Sequence, residues 1–414
     1  MTSEPVVECE VAVIGGGPAG LAAATRLKEF GVARVLVIER ESEPGGIPRH
    51  CDHYAFGFRE FGRVLKGPDY ARRLVDRATG IGVGFLTMTT VVAVERGPRL
   101  RLSTPEGTAT LKAKRVLIAT GTRERSRAQR MIGGSKPGGV LSTGALQALV
   151  HLKGMRPFRR PVVVGTELVS FSALLTCRHA GITPVAMIEP GPRILAWTGS
   201  GLLPRVLGIP LHLSTQVARI FGTRRVEAVE ILDRDGHSRT IDADGLLVTG
   251  DFVPECPIVR DSHLAIDPAT GGPHVDQHLR LTDPAYFAAG NVLRPVETAG
   301  WCWREGIAAA RAIYESLADT APRSESSVAL RVAGPDVKYA VPQRITRSSI
   351  RAGLDRIQFR VTRPMRGTIT VVQDGRTIAT HRLRALPERR ITLPLDWRGV
   401  TGSGDVVVSF VEGR

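Results

Sequence analysis

Apolar residues along the chain fall into short runs separated by glycine-rich turns, and the runs change period twice. Val6–Ile14 is apolar and rich in β-branched residues, and it ends in Gly15-Gly16-Gly17-Pro18-Ala19-Gly20. An Ala/Leu-rich stretch, Leu21–Phe30, has the composition of a helix that Gly31 can stop, and Arg34–Ile38 is a second buried strand closed by Glu39-Arg40. The pattern predicts a βαβ unit. It recurs at Pro161–Val164, with a helix running to about Ala180 and a strand over Thr183–Ile188 that ends in Glu189. Two more buried strands follow from Arg115–Ile118 and Tyr286–Ala289, and a helix from Trp303–Leu317. Past Leu317 the small, polar stretch Ala318–Ser327 reads as a linker. Beyond it the period drops to two: Ile357, Phe359 and Val361, then Ile369 and Val371, then Ile391, Leu393 and Leu395 alternate with polar positions, and Val406–Val411 is a last strand. Asp374-Gly375 between two such runs is a hairpin signal. The fold class expected is α/β, with two Rossmann-like dinucleotide-binding domains and a small all-β C-terminal domain. The first domain is discontinuous (1–125 and 246–320), 126–245 is inserted into it, 321–334 links, and 335–414 forms a β-sandwich. The sandwich carries no cluster of reactive side chains, so docking or stability is its expected role. As an independently packed unit it is expected to be dispensable for nucleotide binding.

The first βαβ carries G-x-G-x-x-G at its turn, with an acid at its second strand's end. Gly15 allows the tight turn, Gly17 lets backbone N–H groups approach a pyrophosphate, and Gly20 lets helix and strand pack closely. The helix N-terminus supplies positive potential, and Glu39 can accept from a ribose. A bare glycine-rich loop lacks the strand, helix and acid in register. Further on, Ala119-Thr120-Gly121 ends one buried strand and Gly290-Asn291 another.

Together these three motifs resemble the fingerprints of the two-dinucleotide-binding-domain flavoproteins, over Val6 to about Leu317. The resemblance implies FAD. It places the ADP half on Gly15, Gly16, Gly17, Pro18, Ala19 and Gly20, with Glu39 and Arg40 at the ribose, and Thr120 and Gly121 beneath. Val91 then lies at the adenine, Gly46 and Ile47 along the cofactor, and Gly290 and Asn291 at the ribityl chain. An acid is usual at position 291, and Asn can still bond a hydroxyl. Thr298 and Ala299 precede the Trp303–Leu317 helix, whose N-terminus is expected to face the flavin, and Thr298 and Gly300 both fit its N-cap.

The second βαβ, where the superfamily binds NAD(P)H, has a broken fingerprint. Glu167 replaces the second glycine and Ser170 the third. A carboxylate against a pyrophosphate at ~4 Å costs about 1 kcal/mol in water and several times more in a partly dry pocket. This unit reads as a structural relic or a site for another ligand, and a working NAD(P)H site remains the alternative.

Between the first βαβ and the next helix, His50-Cys51-Asp52-His53 follows Gly45-Gly46-Ile47-Pro48-Arg49. Flavin disulfide reductases carry a redox cysteine pair in a similar place. Cys51 stands alone, which excludes dithiol chemistry in cis. His50 and His53 are the candidate proton-shuttling or substrate-binding groups, since an imidazole titrates near neutral pH. Cys51 completes the catalytic candidates but is the more natural packing residue. A loop with satisfied histidines is the competing view. No metal site is expected, because the ligand types are adjacent rather than spaced as C-x₂-C.

Gly290–Gly306, with Gly46-Ile47-Pro48-Arg49-His50 and Gly57-Phe58-Arg59, resembles one branch: the FAD subunits of bacterial heteromeric complexes of the opine oxidase, hydrogen cyanide synthase and glycerol-3-phosphate dehydrogenase-like type. That resemblance implies electron transfer within a complex. The partners it implies are a second flavoprotein subunit that oxidises a small amino or hydroxy acid and, often, a small iron–sulfur protein. An NAD(P)H-dependent flavin reductase and a non-catalytic flavin-bearing scaffold are the other two functions compatible with the sequence.

Composition narrows the rest. Of 56 basic residues only seven are lysines, and the net charge is +16. Residues 323–414 hold 17 basic and 8 acidic side chains, a net +9, which reads as a charged docking or solvated surface. No reading motif accompanies the charge, so nucleic acid is not an expected partner. No apolar run reaches the ~18 residues of a membrane span. The five cysteines lie far apart, without iron–sulfur or zinc spacing, and Met1–Glu10 lacks a basic-then-apolar leader. A cytoplasmic location is expected.

Overall fold

The computed structural model describes residues 5–318 and 326–413. Strand β1 (Val6–Ile14) and strand β2 (Val35–Ile38) pair in parallel, Val11 opposite Val35, with helix α1 (Pro18–Glu29) crossing between them. Parallel strands covered on both faces need continuous apolar runs, and Val11, Ala12 and Val13 are fully buried. The sheet has seven strands. Gly84–Leu86 flanks β2, Gly107–Ile118 flanks β1, and the late strand Tyr286–Ala288 pairs with the end of Gly107–Ile118. The long helix Ala299–Ala318 packs on α1 so closely that a Cβ at Gly306 would lie 2.1 Å from the Ala19 carbonyl oxygen.

The inserted unit is a five-stranded parallel sheet in the order Leu211–Leu213, Ala186–Glu189, Pro161–Val164, Gly245–Val248, Val140–Ser142. A four-stranded sheet built on Thr215–Phe221 accompanies it. The boundary expected at 246 therefore moves: Gly245–Val248 is buried beside Pro161–Val164 and belongs to the insert. The chain leaves and re-enters the first domain through a two-stranded hinge, Thr122–Glu124 against Phe252–Pro254.

The C-terminal part is two facing sheets, one of five strands and one of three. Asp374 and Gly375 both take positive φ (49° and 75°) at the hairpin between Met365–Gln373 and Arg376–Ala385, the turn geometry that matches strand twist. Two expectations change here. Residues 321–325 of the expected linker lie outside the described residues, and its later part is strand Ser327–Val332. The sandwich also does not pack as a separate body. Tyr339, Val341, Ile350 and Leu354 join the apolar core of the first domain, while Val337 and Ala340 stay in the sandwich's own core. A bulge between Val337 and Tyr339 lets one strand serve both. Among the described residues no helix is long and apolar enough to cross a membrane.

Candidate functional site

Three glycine turns converge on the start of α1. Gly15 takes φ +104° and lies against Ala119, where a Cβ would sit 2.6 Å from the Ala119 carbonyl oxygen, and a Cβ at Gly20 would sit 2.0 Å from the Gly15 carbonyl oxygen. A Cβ at Gly46 would come within 2.8 Å of the Gly17 Cα, and one at Gly290 within 2.9 Å of the Ala19 Cβ. At Gly17 itself a Cβ meets nothing within 4 Å, and φ is an ordinary −80°. The cradle is tight everywhere except where the phosphates of a dinucleotide need to sit. Pro18 opens the helix, no side chain caps it and no acid lies in its first turn, so the Ala19 and Gly20 N–H groups have no intrahelical acceptor. These residues fit FAD.

Glu39 is buried, and its carboxylate accepts from the Gly16 N–H at 2.8 Å and the Glu41 N–H at 3.0 Å. Arg40 is exposed. The Thr89 N–H donates to the Glu39 carbonyl at 3.0 Å, which brings strand Thr90–Glu95, and buried Val91, beside the acid. Ile47 is exposed next to Gly46. Thr120 donates its hydroxyl to the Glu255 carbonyl at 2.5 Å, so its side chain serves the hinge, while Gly121 takes φ +78°.

Asn291 departs from its expected role. Its Oδ1 accepts from the Glu297 N–H at 2.7 Å and its Nδ2 donates to the Glu297 carbonyl at 3.0 Å. Both ends of the amide close the 291–297 loop. The Thr298 carbonyl accepts from the Trp301 and Cys302 N–H groups at 3.0 and 3.1 Å, which places Thr298 at the N-cap, with Ala299 the first helical residue.

His50, Cys51 and His53 lie on the other side of Gly46, against the inserted unit. Cys51 is buried and its thiol donates to Gln147 Oε1 at 3.5 Å. Burial, then the Glu124 charge, pushes that thiol up to about 12, so it carries no thiolate at neutral pH and is a packing residue. His50 has a buried Nδ1 without a hydrogen-bond partner, and burial first, then Arg49, holds its pKa below the usual value. It is a neutral imidazole with a free position for a proton. His53 Nδ1 meets the Tyr54 carbonyl at 3.0 Å, and its ring lies 5.3 Å from that of Phe56.

Several residues here carried no sequence signal. Gln147 also bonds Ser172, and His151, on a π-helical turn (Ala148–Leu152), bonds Thr176. Such turns often mark functional sites. Glu305 is buried and accepts from Gly290 N–H at 3.2 Å, from Arg294 and from Gln358 Nε2 at 3.0 Å. Burial works against the Arg294 charge, and Glu305 more than restores it. Trp301 lies under three guanidiniums, Arg390 at 3.9 Å, Arg59 at 4.5 Å and Arg304 at 5.1 Å.

The second Rossmann turn resembles the first, with a hydroxyl donor in place of one backbone N–H. Glu189 accepts from the Thr166 hydroxyl at 2.5 Å and the Gly191 N–H at 2.8 Å, as Glu39 does from Gly16 and Glu41. The difference is Glu167, where Gly17 stands in the first. Its carboxylate lies under Gly250 and accepts from the Asp251 N–H at 2.8 Å. Burial raises its pKa, and Arg130 only partly opposes this.

Residues 9–311 match the family model described as pyridine nucleotide-disulphide oxidoreductase. The chain is 28% identical over 336 residues to the alpha subunit of sarcosine oxidase from Rhizobium meliloti, covering 77% of this chain and 30% of the relative. It is 36% identical over 180 residues to one of the subunits of opine oxidase from the same organism, covering 43% and 38%. It thus spans about a third of the length of these relatives. The fold is similar to thioredoxin reductase of T. acidophilum, with TM-score 0.64, 21% identity, and coverage of 75% of this chain and 99% of that one.

Proposed function

The chain belongs to the pyridine nucleotide-disulphide oxidoreductase family, a family of FAD-dependent oxidoreductases, and we propose that it works as an electron-transferring subunit of a heteromeric dehydrogenase or oxidase for a small amino or hydroxy acid. The observation that carries this reading is Glu167. A half-buried carboxylate at the second turn replaces the bare backbone that a nicotinamide dinucleotide would need there. With that route opposed and Cys51 without a partner thiol, the flavin's electrons come from another protein chain. The relatives are named as subunits of a sarcosine oxidase and of an opine oxidase, which agrees with a partner that oxidises an amino acid. That partner is a second flavoprotein subunit; a small iron–sulfur protein is the next carrier. On this reading His50, whose buried Nδ1 has no hydrogen-bond partner, is the candidate proton-holding group. Five free thiols fit a reducing cytoplasm.

A second reading, an NAD(P)H-dependent flavin reductase, is favoured by one feature: Glu189 keeps the geometry of a ribose-binding acid. Anaerobic stopped-flow decides between them. Millimolar NADH or NADPH is expected to leave the flavin absorbance unchanged over catalytic times, whereas the complex with its partner is reduced by the amino or hydroxy acid. Rapid bleaching by either nucleotide overturns the subunit reading. No reduction by any donor leaves a scaffold.

A further inference from the structure

A cleft of about 1110 Å³ runs between the long helix Ala299–Ala318 and the C-terminal β domain. Its floor is apolar, built from Ile307, Ile345, Ile350, Leu354, Leu395 and Trp397, with the Trp397 indole fixed by donation to the Leu354 carbonyl. Its rim is charged, and the two signs are used differently. Each rim acid is already engaged. Glu315 accepts from the Arg351 and Ala352 N–H groups at 2.6 and 3.1 Å, Asp355 takes both arms of Arg356 at 2.8 Å, and Asp396 accepts from the Arg398 N–H at 3.1 Å. The rim arginines are paired less fully. Arg347 donates to the Thr401 and Gly402 carbonyls and Arg304 lies over the Trp301 ring, but Arg304, Arg311, Arg351 and Arg398 are exposed, and among the described residues none has a carboxylate within 4.0 Å of its guanidinium.

Four exposed guanidiniums without an ion pair, over an apolar floor, call for an occupant with carboxylates flanking an apolar face. Size separates a chain segment from a small anion. From Arg304 to Glu315 the cleft follows the helix for ~16 Å, and its volume exceeds the ~1000 Å³ of large small-molecule pockets. Arginine and tryptophan are also the side chains that anchor protein interfaces.

We propose that this cleft docks an acidic, apolar-faced helical segment of the partner subunit. The proposal rests on the reading of the chain as one subunit of a heteromeric enzyme. It adds where the partner sits. Arg304 precedes Glu305, whose carboxylate holds the Gly290 N–H, so a segment in the cleft lies one residue from the network that fixes the flavin-binding turn. Charged rim contacts of this kind set register and association rate more than final affinity.

The test uses the full FAD-loaded chain and a fluorescein-labelled peptide of about fifteen residues, long enough for a helix of the cleft's length, with Leu on one face and Glu flanking it. Its lysine counterpart is the control. Fluorescence anisotropy is expected to show saturable binding of the Glu peptide only, weakened about tenfold or more, or ~1.4 kcal/mol or more, by Arg311→Glu combined with Arg398→Glu. Arg366→Glu with Arg382→Glu, the same charge change at exposed positions of two paired sandwich strands that do not line the cleft, is expected to change it less than about twofold. Equal losses in the two double variants mean attraction to net charge, and overturn the proposal. So does displacement by millimolar inorganic phosphate, which marks a small-anion site, or no binding at all. Co-purification with the partner subunit, run on the same variants, separates the two readings. Assembly that survives Arg311→Glu with Arg398→Glu removes the groove and keeps the subunit, whereas a chain that never assembles removes the subunit reading itself.

Discussion

Gly17→Val tests the cofactor site, because the structure separates ligand space from packing space at adjacent glycines. Gly17 has φ −80° and ψ −176°, extended backbone that valine adopts readily, and its Cβ would meet nothing within 4 Å. The fold therefore tolerates the change, and a surface substitution of this kind stays within about ±0.5 kcal/mol. The branched side chain instead fills the gap between backbone and pyrophosphate. That denies the phosphates the Ala19 and Gly20 N–H groups. At about 1.5–3 kcal/mol for each hydrogen bond to a charged group, two such bonds are worth roughly 3–6 kcal/mol, or on the order of 10²–10⁴-fold in FAD affinity. The assay is titration of apoprotein with FAD by calorimetry, alongside the apoprotein melting curve. An unchanged Tm with affinity lost confirms the assignment. Gly20→Ala is the contrast: its Cβ would sit 2.0 Å from the Gly15 carbonyl oxygen, so it lowers apoprotein Tm as well. Undiminished stoichiometric FAD in a folded Gly17→Val variant refutes the site.

Three further outcomes are expected. Glu167 has a folded-state pKa raised by burial, so its penalty is absent below the unfolded-state pKa, grows as pH rises from there to the folded-state pKa and is full above it; Glu167→Gln should raise Tm at pH above neutrality, with the gain shrinking toward about pH 4, and a gain independent of pH sinks the argument. Thr298→Pro removes one backbone donor and the hydroxyl at the N-cap of the long helix; with helix-terminus effects of about 0.3–2 kcal/mol and ~1.4 kcal/mol per 30 mV, the flavin midpoint potential should fall by a few tens of millivolts at most, and an unchanged potential in a folded, FAD-loaded variant means this helix does not face the flavin. Deleting residues 327–414 should cost FAD retention, because it strips Gln358 from Glu305 and exposes the core that Tyr339, Val341, Ile350 and Leu354 cover; a truncated chain that holds FAD as tightly as the whole restores the independent-sandwich view.

Local patterns were legible and long-range ones were not. The βαβ units, the Asp374-Gly375 hairpin and the broken fingerprint at Glu167 each depend on residues within one or two turns of each other, where composition and period act directly. Which sheet Gly245–Val248 joins is not local: its apolar run suits either domain, and only its register with Pro161–Val164 decides. The Asn291 amide was read by residue type, yet its partner is set by the path of the loop to Glu297. Gln147 meets Cys51 across 96 positions, and no pattern in either segment announces it. One clue did lie in plain sight. On the long helix, Cys302, Gly306, Ala309 and Ile313 make a buried, mostly apolar stripe, and Glu305 sits beside it. A carboxylate on such a face needs buried donors, which the sequence could have prompted a search for.

The donors it finds change what the C-terminal domain is. Gln358 comes from a sandwich strand, Arg294 from the loop after the Gly290–Asn291 turn, and Gly290 from that turn itself. Arg294 Nη1 donates to the Gly290 carbonyl at 3.1 Å while Nη2 bonds Gln358 Oε1 at 2.6 Å. One guanidinium thus ties the turn to the sandwich, with Glu305 accepting from all three. Breaking a buried pair of this kind by removing one member costs about 3–5 kcal/mol, because the remaining charge is stranded. A domain attached for docking alone would not share a desolvated charge with the cofactor turn. The sandwich is therefore tied through Glu305 to the Gly290–Asn291 turn and is continuous with it rather than a tethered appendage.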